Sequence, residues 1–353
     1  MNITVNSTEL AQELRLLNKI TPTKSPLPVL SYVLFQATDS LRLSATDLEV
    51  GMHTACPALI TEPGSTMLPA KKLLDIIDQL PDAEVTIVSD DRNVKLTSGT
   101  FKSRLQTLPA KDFPVLPEVS GDVATLPAMS LKRAIDNTSY AIADKTQKYI
   151  MDGALLSLNG AVMAMVATDG KRLSLVTAAR PEGPDMSVVL PSKTMEVLNS
   201  LTGDIDFSHS DRHLFFVSKG RLLFSRMLEG KFPSYQRIIP RNCDRSLTVH
   251  RGDLAAALKL VGVLADQDEQ AVNIAIEPGH MTLTSSHTSG EGEETLEIDY
   301  AGEPFKVTVK GNHVLDFLNQ ATEARITVAN KQDAPLLFTD TPDFINVIVT
   351  LKG

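Results

Sequence analysis

Two groups of residues could do chemistry. His209, Asp211 and His213 lie together in HSDRH, a spacing open to a metal ion. The stretch falls between two runs of β-type residues, so a hairpin turn is the simpler reading. Asp47 and Asp169 recur in ATDLE and ATDGK and could serve as paired carboxylates for acid–base work. They stand 122 positions apart in matching contexts, which favours one turn-forming Asp in each of two separate domains. Cys56 and Cys243 are the only cysteines. Two cannot make a four-thiolate zinc site or a disulfide framework, so free thiols in a reducing compartment are expected. The sequence has no phosphate-cradling glycine loop, no G-x-S-x-G elbow and no H-E-x-x-H. A protein without a catalytic, metal or cofactor site is expected.

Composition narrows the class. The chain has 353 residues and a mass of 38.3 kDa, enough for two or three domains of ~100–200 residues. No apolar run reaches the ~18 residues of a membrane span. The start, MNITVNSTEL, lacks the basic and then apolar pattern of a secretion signal, so a cytoplasmic protein is expected. Trp is absent and aromatics make up 5%, which weakens any base-stacking or carbohydrate platform. Lys and Arg number 34 against 43 Asp and Glu, a net charge of −9. Taken alone, that argues against nucleic acid, whose phosphates need bases. A net figure hides sign asymmetry, however.

The elements that must position any site form a threefold repeat. ITVNSTELAQELRLLNKI from Ile3, TLPAMSLKRAIDNTSYAI from Thr125 and LTVHRGDLAAALKLVGVL from Leu247 each read as a short strand, a polar residue and an amphipathic helix. Ser7, Ser130 and Asp253 suit the N-cap or first turn. The TD turns follow at Thr46–Asp47 and Thr168–Asp169, and MTLTSSHTSGEGEETLEIDY is the degenerate third copy. MLPAKKLLDIIDQL, VLPSKTMEVLNSL and VTVKGNHVLDFLNQA each lead a strand into a second helix, and a three-strand meander closes each copy. The plan is β-α-β-β-β-α-β-β-β three times over, with domains at 1–121, 122–245 and 246–353.

These landmarks resemble the bacterial sliding clamps, the β subunit of DNA polymerase III. LPVLSYVLFQA, LSATDLEV, LPAKKLLDI, TLPAKDFP, VATDGKRLSL and GKFPSYQRIIP match family motifs in order across the chain. The resemblance implies an α+β fold of three repeated clamp domains, each with two helices and antiparallel sheets. It implies a head-to-tail homodimer ring, helices inside and sheets outside, around double-stranded DNA. It further implies a processivity factor on the bacterial nucleoid with no chemistry of its own. Its partners would be the DNA polymerase III alpha subunit, a clamp loader, and other polymerases and repair proteins that dock by short peptides.

Site residues follow from the resemblance. Six helical windows (7–20, 70–80, 129–142, 192–201, 251–265 and 310–321) hold ten bases and eight acids, a net +2, leaving −11 elsewhere. The bases, expected to face DNA, are Arg15, Lys19, Lys71, Lys72, Lys132, Arg133, Lys193, Arg251, Lys259 and Lys310. Lys24, Lys145 and Lys148 join them from loops. A sliding ring needs such sequence-blind phosphate attraction without base contacts. The peptide pocket is implied at Tyr149, Ile150, Met151, Thr168, Gly170, Lys171, Arg172, Leu173, Pro233, Arg237, Ile238, His313, Val347, Ile348, Val349, Thr350 and Leu351. Leu173, Ile238, Met151 and Val349 would form apolar walls, and Arg172 and Arg237 would meet peptide carbonyls or flanking acids. The tail lacks the Met-Pro-Met-Arg-Leu type ending of many clamps, and His313 replaces a frequent aromatic hydroxyl. The seam is implied at Lys102, Ser103, Arg104 and Leu105 against Val263, Leu264, Glu291, Glu293, Glu294 and Glu297. Ser103 stands where a large aromatic is sometimes seen. The rival is a three-domain protein scaffold that never meets DNA, which the overall acidity favours.

Overall fold

The computed structural model describes residues 1–353 apart from Asp82, Asp91, 144–150, 267–269, Ser289, 332–333 and 352–353. The element order runs three times through one pattern. The first run is β1 (Asn2–Asn6), α1 (Ser7–Ile20), β2 (Tyr32–Ala37), β3 (Leu41–Thr46), β4 (Val50–Cys56), β5 (Leu59–Glu62), β6 (Gly64–Pro69), α2 (Ala70–Ile77), β7 (Glu84–Ser89), β8 (Asn93–Ser98) and β9 (Phe101–Gln106). The second is β10 (Ala124–Leu126), α3 (Ala128–Thr138), β11 (Gly153–Asn159), β12 (Val162–Thr168), β13 (Arg172–Ala179), β14 (Met186–Pro191), α4 (Ser192–Leu198), β15 (Ile205–His209), β16 (His213–Ser218) and β17 (Arg221–Arg226). The third is β18 (Arg245–His250), α5 (Arg251–Gly262), β19 (Ala271–Glu277), β20 (His280–His287), β21 (Gly290–Glu297), β22 (Phe305–Lys310), α6 (Gly311–Gln320), β23 (Arg325–Asn330), β24 (Leu336–Thr341) and β25 (Phe344–Ile348).

The repeat plan is corrected in detail. Four strands, and in the first run five, separate the two helices of a run, where three were expected. The strand missed in each copy is the one after the first helix; in the first run, Tyr32–Ala37, its near-continuous apolar pattern lacks alternation. Apart from α1, which fills its window, the helices are shorter than the windows, and Lys310 is the last residue of β22. Asn6, not Ser7, caps α1: its side chain accepts from the Glu9 N–H at 3.1 Å. Ser130 and Asp253 fall within the first turns of α3 and α5. HSDRH is the β15–β16 hairpin turn.

The chain forms two compact units. One comprises Met1–Ala128, Pro181–Pro184 and Lys193–Met227; the other comprises Met129–Arg180, Asp185–Ser192 and Leu228–Gly353. The first holds a five-stranded sheet, β5-β1-β7-β8-β9, and an eight-stranded sheet, β10-β15-β16-β17-β4-β3-β2-β6. The second holds an eight-stranded sheet, β14-β11-β12-β13-β25-β24-β23-β18, and a four-stranded sheet, β21-β20-β19-β22. Each eight-stranded sheet is two half-sheets from consecutive runs, joined by one antiparallel pair. In the first unit the pair is β4–β17, from Leu222↔His53 to Ser225↔Val50. In the second it is β13–β25, from Arg172↔Ile348 to Val176↔Phe344. The pair always joins the third hairpin-linked strand of one run to the last strand of the next.

The helices pack their apolar stripes onto these sheets. Leu10, Leu14, Leu17 and Ile20 of α1 are buried, and α1 lies against α2, β3 and β4. One charged pair is sealed beneath it. Arg221, at the start of β17, forks onto Glu13 of α1, with Nε to Oε2 at 2.9 Å and Nη2 to Oε1 at 2.5 Å, while the Thr54 hydroxyl donates to the same carboxylate. A bidentate fork supplies the geometry that a buried ion pair needs. Arg221→Ala strands the buried Glu13 carboxylate and is expected to lower the unfolding free energy by about 3 kcal/mol in urea titration. Glu13→Gln in the same background should recover part of that loss. A change below ~1 kcal/mol would contradict the assignment.

Candidate peptide-docking site

The TD turns are built alike in both units. Asp169 Oδ1 accepts from the Lys171 and Arg172 N–H groups, both at 2.9 Å. Thr168 Oγ1 donates to the Arg172 carbonyl at 2.6 Å and accepts from the Gly170 N–H at 3.1 Å. Asp47 repeats this with Glu49 and Val50, at 2.9 and 2.7 Å, and Thr46 with Val50 and Leu48. Gly170 holds φ +85°, the left-handed region open to glycine; Leu48 takes the same place at φ 79°. The two aspartates are thus turn formers in separate units.

Arg172 opens β13 and spends its whole guanidinium on its own unit. Nε meets Asp169 at 3.0 Å, Nη1 meets Asp316 of α6 at 2.5 Å, and Nη2 donates to the Tyr140 carbonyl. The group lies 5.4 Å from the Tyr140 ring centroid. The Tyr140 hydroxyl donates to Ser174 Oγ at 3.3 Å and accepts from Asn346 Nδ2 at 2.5 Å, and burial pushes its phenol pKa up. This corrects the sequence expectation: with 11% of its side chain exposed, Arg172 does not reach out to peptide carbonyls. It fastens β13 to α6 and to the turn after α3. His313 on α6 is buried as well, and is no rim residue. Desolvation, with help from the Arg172 and Lys310 charges, lowers its pKa to about 4.

Beside this network lies an apolar sheet face. Val166, Leu173 and Val347 form its buried floor, and Leu155, Leu175, Phe232, Tyr235, Ile239 and Leu337 pack around it half-open. Register explains the grouping: Leu155 pairs with Val166, Val166 with Leu175, Leu173 with Val347, and Val347 with Leu337. Directly paired residues share a face of the sheet. Leu173 is therefore floor, not wall. Phe232 stands edge-on to Tyr235, with centroids 6.4 Å apart. Ile238 and Val349 are exposed by 36% and 39%, Met151 and Pro233 are half-buried, and Gly170, Lys171 and Arg237 are exposed. Ile348 is buried. The tail is held by the Val349 N–H donating to the Lys171 carbonyl and the Leu351 N–H donating to Thr308, each at 2.8 Å. Thr350 and Leu351 line a different groove of about 980 Å³, with Arg245 and Phe305. Tyr149 and Ile150 lie outside the described residues. The sequence reading missed Leu155, Leu175, Phe232, Tyr235, Ile239 and Leu337. Alternation through RLSL places Leu175 with Leu173 and was the available signal.

The basic residues divide into two groups. Lys24, Lys71, Lys72, Lys132 and Lys259 are exposed. Arg15 and Lys19 are exposed too, meeting Asp78 at 2.7 Å and Ser200 at 2.5 Å. Three others, also expected to face DNA, are engaged within their units. Arg133 forks onto Asp343 at 2.5 and 3.2 Å and donates to Thr341. Lys193 pairs with Asp47 and donates to the Ile20 carbonyl at 3.0 Å. Arg251 donates to the Leu318 carbonyl at 3.2 Å. Lys310 is half-buried. Lys145 and Lys148 lie outside the described residues. Of the helix acids, Glu13 and Asp316 are likewise taken up by Arg221 and Arg172. The +2 of the six windows therefore does not describe the exposed helix surface.

The residues expected at the seam lie on two open sheet edges, β9 and β21, except Val263 and Leu264, which follow α5 directly. Lys102 and Arg104 are exposed on β9, Leu105 is buried, and the Ser103 hydroxyl is buried with no hydrogen-bond partner among the described residues. Phe101, on the same face as Ser103 and Leu105, is 39% exposed, so an aromatic is present two residues from its expected position. On the other side Val263 is 79% exposed and Leu264 half-buried. Glu291, Glu293 and Glu297 are exposed along β21, and Glu294 is half-buried.

The buried His313 generates a pH signature. Its folded pKa near 4 lies below the ordinary ~6.5, so the unfolded chain binds the extra proton. Stability should fall as pH drops from about 6.5 towards 4, and His313→Gln should remove that component. An NMR titration is expected to place the imidazole midpoint near 4; a midpoint at or above ~6 would contradict its burial beside Arg172.

Comparison with known proteins accounts for this arrangement. Family models for the DNA polymerase III beta subunit match in order: the N-terminal domain at residues 1–117, the central domain at 125–234 and the C-terminal domain at 236–351. The beta sliding clamp of Caulobacter vibrioides is 31% identical over 337 residues, covering 91% of this chain and 90% of that protein. That of Chlamydia pneumoniae is 28% identical, covering 100% and 99%. The crystal structure of the DNA polymerase III subunit beta from Pseudomonas aeruginosa superposes with a TM-score of 0.95 at 27% identity, covering all of both chains. The chain belongs to the DNA polymerase III beta subunit family.

Proposed function

We propose that the chain is a replicative sliding clamp, a processivity factor that holds DNA polymerase III on its template by enclosing double-stranded DNA. The single observation that carries this is the pair of unused edges. Strand pairing between consecutive runs occurs twice within the chain, as β4–β17 and β13–β25. The equivalent strands left over are β21 of the third run and β9 of the first, and both are sheet edges. Long open edges invite pairing with another chain. Two copies joined head to tail, β21 of each to β9 of the other, would satisfy all four edges and close a ring. Opposite charge favours the match, with Lys102 and Arg104 facing the acidic run at Glu291, Glu293, Glu294 and Glu297. Solvated pairs of this kind contribute only ~0–1 kcal/mol each, so they select the partner more than they hold it.

In this proposal the clamp domains run 1–121, 122–245 and 246–353, and their helices line the bore. Lys19, Lys24, Lys71, Lys72, Lys132 and Lys259 supply diffuse, sequence-blind attraction to phosphate. The protein performs no chemistry, works on the bacterial nucleoid in the cytoplasm, and is placed on DNA by a clamp loader. The apolar face around Leu173 and Val347 receives short extended peptides of the polymerase alpha subunit and of other polymerases and repair proteins.

Topology tests it. Loaded by its clamp loader onto a nicked circular plasmid, the protein should co-elute with the DNA through salt. It should be lost when the plasmid is cut once. Retention that is indifferent to linearisation would favour the scaffold reading, which needs no ring.

A further inference from the structure

The apolar docking face does not end at its own rim. Ile239, which packs against the Val166–Leu173–Val347 floor, also lines a neighbouring groove of about 610 Å³. That groove has an apolar base of Ile238, Ile239 and Pro335 and a wall of Arg237, Arg241 and Lys331. All three cations are exposed, and none forms an ion pair among the described residues. No carboxylate lines the groove among the described residues.

We infer that the groove is an acidic-flank subsite: partner peptides carry carboxylates beside their apolar anchors, and Arg237, Arg241 and Lys331 receive them. The inference rests on the apolar face being a peptide-docking site and specifies the chemistry of its occupant. Two features support it. The groove is continuous with the apolar face through Ile239, so one extended peptide can cover both. Its exposed cations, with no carboxylate lining it among the described residues, also give it a local charge complementary to an acidic flank. Arginine and lysine here differ in kind: the guanidiniums can fork onto a carboxylate, while the ammonium acts as a point charge.

Two labelled ten-residue peptides test this by fluorescence anisotropy on the full chain. Both carry Leu and Phe anchors; one has two aspartates on each flank and the other has asparagines in their place. The acidic peptide is expected to bind about fivefold to tenfold more tightly at low salt, with the advantage shrinking as salt rises. Arg241→Gln with Lys331→Gln should cut the difference to about twofold, the share left to Arg237, while leaving the asparagine peptide's affinity unchanged, which also reports that the variant is folded. Equal affinities on the unmutated chain, or an acidic preference undiminished by both substitutions, would overturn the subsite alone. Failure of both peptides to bind the unmutated chain would overturn the docking reading and the subsite with it.

Discussion

Antiparallel pairing between the third hairpin-linked strand of one run and the last strand of the next is the interaction on which the rest depends. It is a short ladder, four residue pairs in β4–β17 and five in β13–β25. It nevertheless fixes everything that crosses between runs. Arg221 opens β17 and reaches Glu13 on the helix of the preceding run, and Asp343, next to the start of β25, reaches Arg133 in the same way. The two cross-links exchange the sign of helix and hairpin, so a hairpin can satisfy only its own helix. A ladder used twice also defines what is left over, namely the edges β9 and β21.

The docking face is a product of that ladder. Leu173 and Val347 come from different runs and meet only because β13 pairs with β25. The first unit has the same junction with other residues in these places. Gly51 and Phe224 hold the places of Leu173 and Val347, and they pair directly. The Phe224 ring lies over Gly51, where a Cβ would come within 2.1 Å of it, and it is 3% exposed. A phenyl folded over glycine fills its own recess, while Leu beside Val leaves a broad, shallow apolar floor. Phe224 also tilts against His53, whose ring bonds Ser44 at 2.7 Å, so the first junction is closed by polar contacts as well.

What was legible in the sequence was local. The alternation around the TD turns and the Leu10–Leu14–Leu17 stripe depend on residues a few positions apart, and the structure holds them as read. The roles of charged residues were not legible, because their partners are remote. Glu13 is 208 residues from Arg221 and Arg133 is 210 from Asp343. A count of helix charges therefore placed Arg133, Lys193 and Arg251 facing DNA, and family position placed Arg172 at the peptide, without showing that each is engaged inside its own unit. The half-open ring of Phe232, Tyr235 and Ile239 was missed for a similar reason: it comes from an irregular segment with no period to betray which face it covers.

The central claim is that β9 and β21 are halves of a third ladder completed by a second copy. Hydrogen exchange read by mass spectrometry on the full chain at micromolar concentration tests it most directly. The outward-facing amides of both strands should be protected to the level of the internal ladders β4–β17 and β13–β25. Exchange of either strand at the rate of an open sheet edge would contradict it.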